Sequence, residues 1–340
     1  MSSSQPIKII GGGLAGLSLG LALRRENVDV TVVEAGSYPR HRVCGEFISG
    51  LSARTRTRLG LDPFLVDAAP NREVAWFIGG VPARYQRLPS IAPGVSRYTL
   101  DARLAESFVE AGGQLHTNER CTLSTDAPGR VFATGRRRSA SRWLGLKIHA
   151  LDLPLARDLE LHLGDHAYIG LTKIENRRVN ICGLFRRREL GVKGSEILSA
   201  YLRASGLDDL ARRLEMASLD RSSFSAVAAV EFDQRVQLAK EVRLGDMLAM
   251  IPPFTGHGMA MAFQSAEIAL TPLLAFARGQ QSWDETRLLI HHGSRRRFRV
   301  RLASAGALHS FLLKPSRQRW LGALNRARLL PLGPLYAALH

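Results

Sequence analysis

The stretch IKIIGGGLAGLSLGLALRRENVDVTVVEAGS, residues 7–37, decides the fold of this chain. Residues 7–10 are a short apolar run, which predicts a buried strand. Three consecutive glycines then turn the chain, and residues 14–25 predict a helix. Residues 28–33 predict a second buried strand, with Glu34 at its end. A strand, a helix and a second strand in this order predict a βαβ unit.

The glycines of this unit have the spacing G-x-G-x-x-G, at Gly11, Gly13 and Gly16. Gly11 permits the tight turn, Gly13 lets a pyrophosphate approach the backbone, and Gly16 lets helix and strand pack closely. The free N–H groups and the dipole at the helix start attract phosphate charge. Glu34 follows about twenty residues later, where a carboxylate can accept hydrogen bonds from an adenosine ribose. The unit predicts a dinucleotide site, and a glycine-rich turn without a ligand is the alternative.

The segment SYPRHRVCGEFIS, residues 37–49, indicates which dinucleotide is bound. Its Pro-Arg followed by Gly-Glu resembles the segment after the second strand in FAD enzymes of the p-hydroxybenzoate hydroxylase type. The flavin-dependent halogenases and the geranylgeranyl reductases belong to the same superfamily, in which this segment runs beside the ribityl chain and ring of the flavin. The resemblance implies FAD, with Arg42, Cys44, Gly45 and Glu46 as candidates for flavin contact. An ordinary buried thiol is the alternative for Cys44.

Two further segments are similar to FAD-binding segments of this superfamily. SRYTLDARL, residues 96–104, resembles the R-x-x-L-D-x-x-L helix start. There Arg97 matches the arginine that reaches the sugar–phosphate region of the flavin, and Asp101 caps the helix. Residues 133–135 read Ala-Thr-Gly where hydroxylases of the superfamily usually have Ala-Asp-Gly. Thr134 therefore counts against a hydroxylase-like handling of NADPH and flavin.

The segments VRLGD and PPFTGHGMAMAFQSAE, residues 242–246 and 252–267, resemble the last FAD-binding element of these families. There a late strand ends in Gly-Asp, and the aspartate, here Asp246, binds the ribityl or pyrophosphate part of FAD. Proline cannot continue the strand, and the helix that begins near Met259 points its partly positive N-terminus at the flavin. His257 in this turn is a catalytic candidate on the substrate side of the ring. A local hydrogen-bonding role is the alternative for it.

Met247 and Leu248 depart from the family pattern, which usually reads Gly-Asp-Ala-Ala-Gly. Larger side chains beside the phosphates are expected to shift or weaken FAD. The residues that the resemblance places against FAD are Gly11, Gly13, Leu14, Ala15, Gly16, Glu34, Ala35, Arg42, Cys44, Gly45, Arg97, Ala133, Thr134, Gly135, Asp246, Pro253, Thr255, Gly256, Gly258 and Met259.

Residues 146–186 change to a period of two, which predicts successive antiparallel strands. In the resembled superfamily such a sheet forms the wall opposite the flavin. Tyr168 stands where geranylgeranyl reductases carry Tyr-x-Trp-x-x-Pro, but Gly170 replaces the tryptophan and no proline follows. The halogenase motif Trp-x-Trp-x-Ile-Pro is also missing from the sequence. Tyr168 is a catalytic candidate, and a core tyrosine is the alternative.

These segments predict an α/β fold, with a Rossmann-like FAD-binding domain of the glutathione reductase type. An antiparallel β-sheet substrate domain is inserted into it, and a helical C-terminal tail follows. The predicted ranges are 6–71, 96–145 and 234–279 for the FAD-binding domain, 72–95 and 146–233 for the substrate domain, and 280–340 for the tail.

Composition limits the partners and the compartment. The chain has 340 residues and a formal net charge of +17. One interpretation of this charge is solvated arginine on the protein surface. The alternative is an anionic partner: an acidic carrier protein, a CoA-linked substrate, or a membrane surface that the tail contacts weakly. No nucleic-acid motif accompanies the arginines, so nucleic acid is not an expected partner. Three cysteines without metal spacing, and the lack of a secretory signal, predict a reduced cytoplasmic protein without a metal site.

The resemblance implies a FAD-dependent monooxygenase that acts on a hydrophobic small molecule through a flavin hydroperoxide. The chain has no second G-x-G-x-x-G, so NAD(P)H is expected as electron donor through transient binding or a separate reductase. One alternative is an alkene reductase of the geranylgeranyl reductase type, in which Tyr168, Cys44 or His257 gives the proton. The other alternative is a degenerate protein that binds FAD, or an anionic partner, without turnover.

Overall fold

The computed structural model of the protein describes residues 5–121, 127–136, 140–194, 196–233, 235–237, 239–312 and 317. Its strands are β1 (Ile7–Ile10), β2 (Val30–Val33), β3 (Ala69–Ile78), β4 (Val81–Gly94), β5 (Gln114–His116), β6 (Arg130–Phe132), β7 (Trp143–Leu151), β8 (Leu159–Gly164), β9 (Ala167–Lys173), β10 (Arg178–Arg186), β11 (Ser218–Ala228) and β12 (Val242–Arg243). Its α-helices are α1 (Leu14–Arg25), α2 (Ala53–Leu59), α3 (Arg97–Glu110), α4 (Glu196–Ala204), α5 (Asp208–Glu215), α6 (Gly258–Ala277) and α7 (Trp283–Leu312).

The first sheet is parallel and has the order β12-β6-β1-β2-β5. Strand β1 lies at its centre because Ile7, Ile9 and Ile10 are all buried between the layers that cover the two faces. The sequence predicts the bounds of α1 correctly. Strand β2 begins two residues later than predicted, since the Val28 N–H donates to the Leu23 carbonyl at the end of α1. The predicted βαβ unit is thus present.

The second sheet has the order β11-β7-β10-β9-β8-β3-β4. Its neighbouring strands are antiparallel except β3 and β8, which run parallel. Strands β3 and β7 start at Ala69 and Trp143, slightly before the predicted starts of the substrate domain. On β7 the apolar side chains of residues 144, 146, 148 and 150 join the core under α4 and α5. The alternate side chains of β7 therefore face the first sheet and its loops.

Helix α6 is the central helix of the larger core and packs against α1, α2 and α7. It is long and apolar enough to cross a membrane by length and composition, but 61% of its most apolar window is buried inside the protein. That burial is the environment of a core helix. The predicted membrane contact of the tail falls mainly on residues 313–316 and 318–340, which lie outside the described residues.

Strand β8, in the interior of the second sheet, holds a buried carboxylate whose ionisation links stability to pH. Glu160 accepts hydrogen bonds from the Ala156 N–H at 2.6 Å, from Arg213 at 2.8 Å and from His162 at 2.9 Å. Burial alone would raise its pKa, but these donors outweigh burial and lower the pKa from 4.5 to about 2. The folded state therefore gains stability from this carboxylate above pH 4.5, and loses it as the pH falls towards 2.

A Glu160→Gln variant is expected to lose about 2 kcal/mol of unfolding free energy at neutral pH, because the charge-assisted hydrogen bonds are lost. The deficit should shrink as both proteins are taken from about pH 5 down to pH 2. Urea unfolding at several pH values measures it. A deficit that stays constant with pH would contradict the assigned ionisation.

Candidate active site

A cavity of about 850 Å³ is lined by residues from both sheets and from the loops between them. Such a volume lies towards the upper end of the range for cofactor and ligand pockets, about 300–1,000 Å³. Of the residues that the sequence assigns to the site, Gly11 and Gly16 do not line the cavity and every other one does. The predicted residues that line it are Gly13, Leu14, Ala15, Glu34, Ala35, Arg42, Cys44, Gly45, Glu46, Arg97, Ala133, Thr134, Gly135, Tyr168, Asp246, Pro253, Thr255, Gly256, His257, Gly258 and Met259.

The glycine loop before α1 forms one end of the cavity. Gly11 has a φ of +112°, which an L side chain rarely adopts. A Cβ at Gly16 would lie 2.0 Å from the Gly11 carbonyl oxygen, so Gly16 keeps the helix in contact with the turn. A Cβ at Gly13 would find no atom closer than 3.8 Å, and Gly13 offers no side chain to cap the helix. The space beside Gly13 and the uncapped helix start suit an anionic group.

An arginine is fixed beside this loop by a buried carboxylate. Arg97 donates two hydrogen bonds of 2.7 Å to Asp101, which is fully buried. Burial opposes the charged form of Arg97, but the paired carboxylate of Asp101 outweighs it and raises the pKa. The Arg97 guanidinium is the atom group nearest to the open side of Gly13. Asp101 was predicted to cap α3; the structure instead gives the cap to Ser96, whose hydroxyl accepts from the Thr99 N–H at 3.1 Å.

Glu34 is held at the end of β2 by several donors. Its Oε2 accepts from the Gly12 N–H at 2.8 Å, and its Oε1 accepts from the Gly36 N–H at 3.0 Å and from Arg40 at 2.5 Å. Burial would raise its pKa, but Arg40, Arg42 and these hydrogen bonds outweigh burial and lower it. Because an ionised carboxylate oxygen accepts about two hydrogen bonds, Oε2 retains capacity for a ligand hydroxyl.

The turn before α6 forms another part of the cavity wall. His257 is buried and is the N-cap residue of α6, where its side chain forms no cap. The space on the Cβ side of Gly258 is open for at least 4 Å. Burial raises the pKa of the nearby Asp246, and the positive charges of Arg97 and Arg42 oppose this rise. The helix N-terminus and Asp246 thus face the same cavity.

The side chains of Met247 and Leu248 point away from the cavity. Met247 joins the apolar cluster of Ile10, Val33 and Phe132, and Leu248 joins the cluster under α7. Neither residue lines the cavity. These two substitutions therefore fill the core, and the expectation that they crowd the phosphates loses its physical basis.

At the cavity wall lies a buried charged cluster, which we define as Glu46, Lys147 and His149; Glu46 lines the cavity, and the other two lie behind it. Glu46 Oε2 lies 2.6 Å from His149 Nε2, and Glu46 Oε1 lies 3.4 Å from Lys147 Nζ. The Arg97 N–H also donates to Glu46 Oε1 at 3.0 Å. Lys147 Nζ lies 3.1 Å from His41 Nδ1, and His41 stacks on Tyr98. The resemblance assigns Glu46 to flavin contact, but its carboxylate is occupied by this cluster.

Cys44 is half-buried and packs against the apolar core of the first sheet. Burial raises the pKa of Cys44, so the thiol keeps its proton at neutral pH. The Cys44 carbonyl accepts a hydrogen bond from the Asn180 amide at 2.9 Å. Cys44 therefore remains a candidate proton donor in the cavity wall and is a poor nucleophile.

The second sheet supplies the apolar end of the cavity. Tyr168 on β9 lines it and packs with Leu161, Leu163, Leu184 and Val230. Burial raises the pKa of Tyr168 well above its ordinary value, so its hydroxyl stays protonated. Trp76 on β3 lines the same end. The resemblance indicates Tyr168, whereas Trp76 lies in a segment that matches no motif and is not predicted from the sequence.

Comparisons with known proteins agree with the βαβ start. Residues 9–45 match the model of the NAD(P)-binding Rossmann-like domain family. An uncharacterized protein, y4xG, of Sinorhizobium fredii is 34% identical over 134 residues, which are 34% of this chain and 26% of that protein. Menaquinone reductase of Mycobacterium tuberculosis is 25% identical over 171 residues, 44% of this chain and 42% of that protein. The matched part thus spans less than half of each curated relative.

Solved structures match over nearly the whole chain. Klebsiella pneumoniae HpxO complexed with FAD and uric acid has a TM-score of 0.76 at 15% identity, covering 98% of this chain and 95% of that one. Pseudomonas aeruginosa PqsL with 2-aminobenzoylacetate has a TM-score of 0.72 at 16% identity, covering 93% and 98%. The flavin-dependent brominase Bmp2 has a TM-score of 0.74 at 17% identity, covering 98% and 92%. The chain therefore has the same fold as these proteins, which is the α/β fold with an added antiparallel sheet that the sequence predicts.

Proposed function

We propose that the chain is a FAD-dependent oxidoreductase, with monooxygenation of a hydrophobic small molecule as its reaction. The observation that carries the proposal is that one cavity has two chemically different ends. One end has the glycine loop, a fixed arginine and two helix N-termini, and the other has an apolar sheet wall. A cofactor and an apolar substrate can therefore lie next to each other in it.

The residues at the polar end fit FAD. The open space at Gly13, the start of α1 and the guanidinium of Arg97 would hold the pyrophosphate. The free acceptor position on Glu34 would hold the adenosine ribose. The start of α6 at Gly258 would place partial positive charge beside the flavin ring. When bound, FAD supplies the electron transfer and the oxygen chemistry.

The protein's own part in the reaction is positioning and exclusion of water. The wall formed by β8, β9 and β10 is apolar where it meets the cavity, with Leu161, Leu163 and Leu184 among its residues. Such a wall keeps a reactive centre dry and orients an apolar substrate. The described cavity offers one glycine-rich loop, and FAD would use it. We therefore propose that NAD(P)H is the electron donor without a second glycine-rich loop of its own, either directly or through a separate reductase.

Alkene reduction is the second candidate, and the similarity to menaquinone reductase favours it. A reduction needs a proton donor beside the acceptor carbon. Tyr168 and Cys44 both keep their protons at neutral pH because burial raises their pKa values, and His257 lies in the same cavity. Any of the three could donate that proton.

Labelled oxygen separates the two reactions. The flavin is reduced in the absence of oxygen, a candidate substrate is added, and ¹⁸O₂ is then admitted. We expect ¹⁸O in the product and no reoxidation of the flavin before oxygen enters. Reoxidation by the substrate alone, with two hydrogens gained by the product, would refute the monooxygenase and support the reductase. A protein that remains colourless after incubation with FAD would support the non-catalytic alternative.

We also propose that the arginine excess serves an acidic partner in the cytoplasm, either a carrier protein or a CoA-linked substrate. The formal net charge of +17 supports this proposal. Exposed charges are screened beyond about 8–10 Å at physiological ionic strength, so the affinity for such a partner should fall with added salt.

A further inference from the structure

The positive charge of the chain is concentrated at its C-terminal end. Residues 286–340 contain eleven of the 47 arginines and lysines and none of the 30 aspartates and glutamates. The first 285 residues hold the other 36 basic side chains together with all 30 acidic ones, so they are much closer to balance. A charge asymmetry of this kind within one chain indicates an anionic partner for the basic end.

Helix α7, which begins this basic region, has one side in the core and the other in solvent. Ile290, Phe298 and Leu302 are buried in the apolar clusters beneath the helix. Separations of four, seven and eleven residues place a second set of side chains together on the exposed side, over a length of about 18 Å. We define this set as the basic face: Leu288, Leu289, Arg295, Arg296, Arg299 and Val300.

The arginines of the basic face have no counter-charge on the described part of the protein. Arg295, Arg296 and Arg299 form no ion pair and no side-chain hydrogen bond with any described residue. The two acidic residues of α7 lie at its start and are engaged there, since Asp284 pairs with Arg287 at 2.9 Å and Glu285 accepts from the Ser282 N–H at 2.8 Å. The three guanidinium groups can therefore meet anionic groups from outside the protein.

Aliphatic side chains lie exposed among these arginines. Leu288 is 46% exposed, Leu289 is 53% exposed and Val300 is 56% exposed. A partner with an apolar layer would remove this surface from water, whereas a partner that offers charge alone would leave it in contact with water. Cations and exposed aliphatic side chains on one helix face are the pattern of helices that lie at a membrane interface.

We propose that the basic face of α7 docks on an anionic lipid bilayer. Its guanidinium groups pair with headgroup phosphates, and its leucines and valine enter the layer below. Residues 313–340 add five more basic residues and no acidic one, so the chain that follows α7 continues the same charge. The proposal assigns the C-terminal share of the arginine excess to lipid, and a carrier protein or CoA-linked substrate would use arginines elsewhere in the chain. No residue of the basic face lines the cavity, so the inference goes beyond the proposed function and does not depend on it.

Vesicle flotation with the full-length protein tests the proposal. One set of vesicles is phosphatidylcholine alone, and the other is an equimolar mixture of phosphatidylcholine and phosphatidylglycerol. The charge variant combines Arg295→Gln, Arg296→Gln and Arg299→Gln. The apolar variant combines Leu288→Gln and Leu289→Gln, which leave the charge unchanged.

A control variant removes the same charge from another surface. It combines Arg72→Gln, Arg87→Gln and Arg221→Gln, on β3, β4 and β11 of the second sheet. These three arginines are exposed and form no ion pair with any described residue. All substituted side chains are exposed, so each variant should unfold at the temperature of the parent protein.

We expect the parent protein to bind the mixed vesicles at least about tenfold more tightly than phosphatidylcholine vesicles, with an affinity that falls as salt is added. The charge variant should lose at least about tenfold in affinity for the mixed vesicles, the apolar variant at least about threefold, and the control should stay within about twofold of the parent. Binding to neither vesicle, equal affinity for both, or equal losses in the charge and control variants would overturn the proposal. So would an apolar variant that binds like the parent, because a response to charge alone fits an acidic protein and not a bilayer.

Discussion

A Glu46→Gln variant is expected to lose about 3–5 kcal/mol of unfolding free energy at neutral pH. Glu46, Lys147 and His149 are each fully buried, and Glu46 is the described carboxylate in contact with both of the others. The amide of glutamine fits the same space but cannot neutralise the Lys147 ammonium. The variant therefore leaves an uncompensated positive charge in a region that excludes water.

The pH dependence of this loss identifies its cause. Burial already lowers the pKa of Lys147 from 10.5, and the charge of Glu46 opposes that shift. Without Glu46 the folded-state pKa falls further, so the unfolded chain binds more protons than the folded one below pH 10.5. Stability of the variant should then rise towards that of the parent protein as the pH increases from 7 to 9.

Chemical denaturation at pH 7 and pH 9 measures both effects. The matched control is the double variant Glu46→Gln with Lys147→Met, which removes the stranded charge and should be more stable than Glu46→Gln alone. A loss below about 1 kcal/mol, or a loss that is the same at both pH values, would mean that the cluster carries no buried charge.

The sequence predicted the parts of the fold that depend on local chemistry. Helix α1 has the predicted bounds because a glycine turn precedes it and a strand follows after a short connection. The period of two in residues 146–186 predicted strands β7 to β10: β7, β9 and β10 each bury an apolar face against α4 and α5, and β8 turns Leu161 and Leu163 to the cluster that contains Tyr168. The glycine motif and the resemblance place Gly13, Arg97 and Asp246 at one site, and these three residues line the same cavity.

Other parts of the site depend on contacts that a single chain segment does not encode. Lys147 and His149 alternate with apolar residues on β7, the pattern of a strand with a solvent-facing side. That side is covered by the segment that contains Glu46, more than 100 residues away in sequence. The sequence predicts that Met247 and Leu248 crowd the cofactor, because a residue's identity does not reveal the direction of its side chain; in the structure both side chains join apolar clusters.

The largest functional effect is expected from Gly13→Ala. Gly13 has φ −89° and ψ −171°, which alanine adopts without strain. The added methyl group would meet no atom closer than the Arg97 guanidinium at 3.8 Å, so the protein itself has room for it. It would nevertheless occupy the space in which we propose that the FAD pyrophosphate lies. The dissociation constant for FAD should rise about 100-fold, or about 2.7 kcal/mol.

Gly16→Ala is the matched contrast in the same loop. Its Cβ would lie 2.0 Å from the Gly11 carbonyl oxygen and 3.2 Å from Ile9 Cγ2, so strand and helix would have to separate. We expect the FAD-free Gly16→Ala protein to lose at least about 3 kcal/mol of unfolding free energy. The FAD-free Gly13→Ala protein should stay within about 0.5 kcal/mol of the parent.

Denaturation of the FAD-free proteins gives the free energy of unfolding, and titration with FAD gives the free energy of cofactor binding. If Gly13→Ala bound FAD as tightly as the parent, the pyrophosphate would have to lie elsewhere. If Gly13→Ala lost as much unfolding free energy as Gly16→Ala, position 13 would require glycine for packing within the protein. The open space beside Gly13 would then be no evidence for a ligand. The opposite pattern, stability retained and affinity lost, arises only when the vacant volume at Gly13 is used by the cofactor.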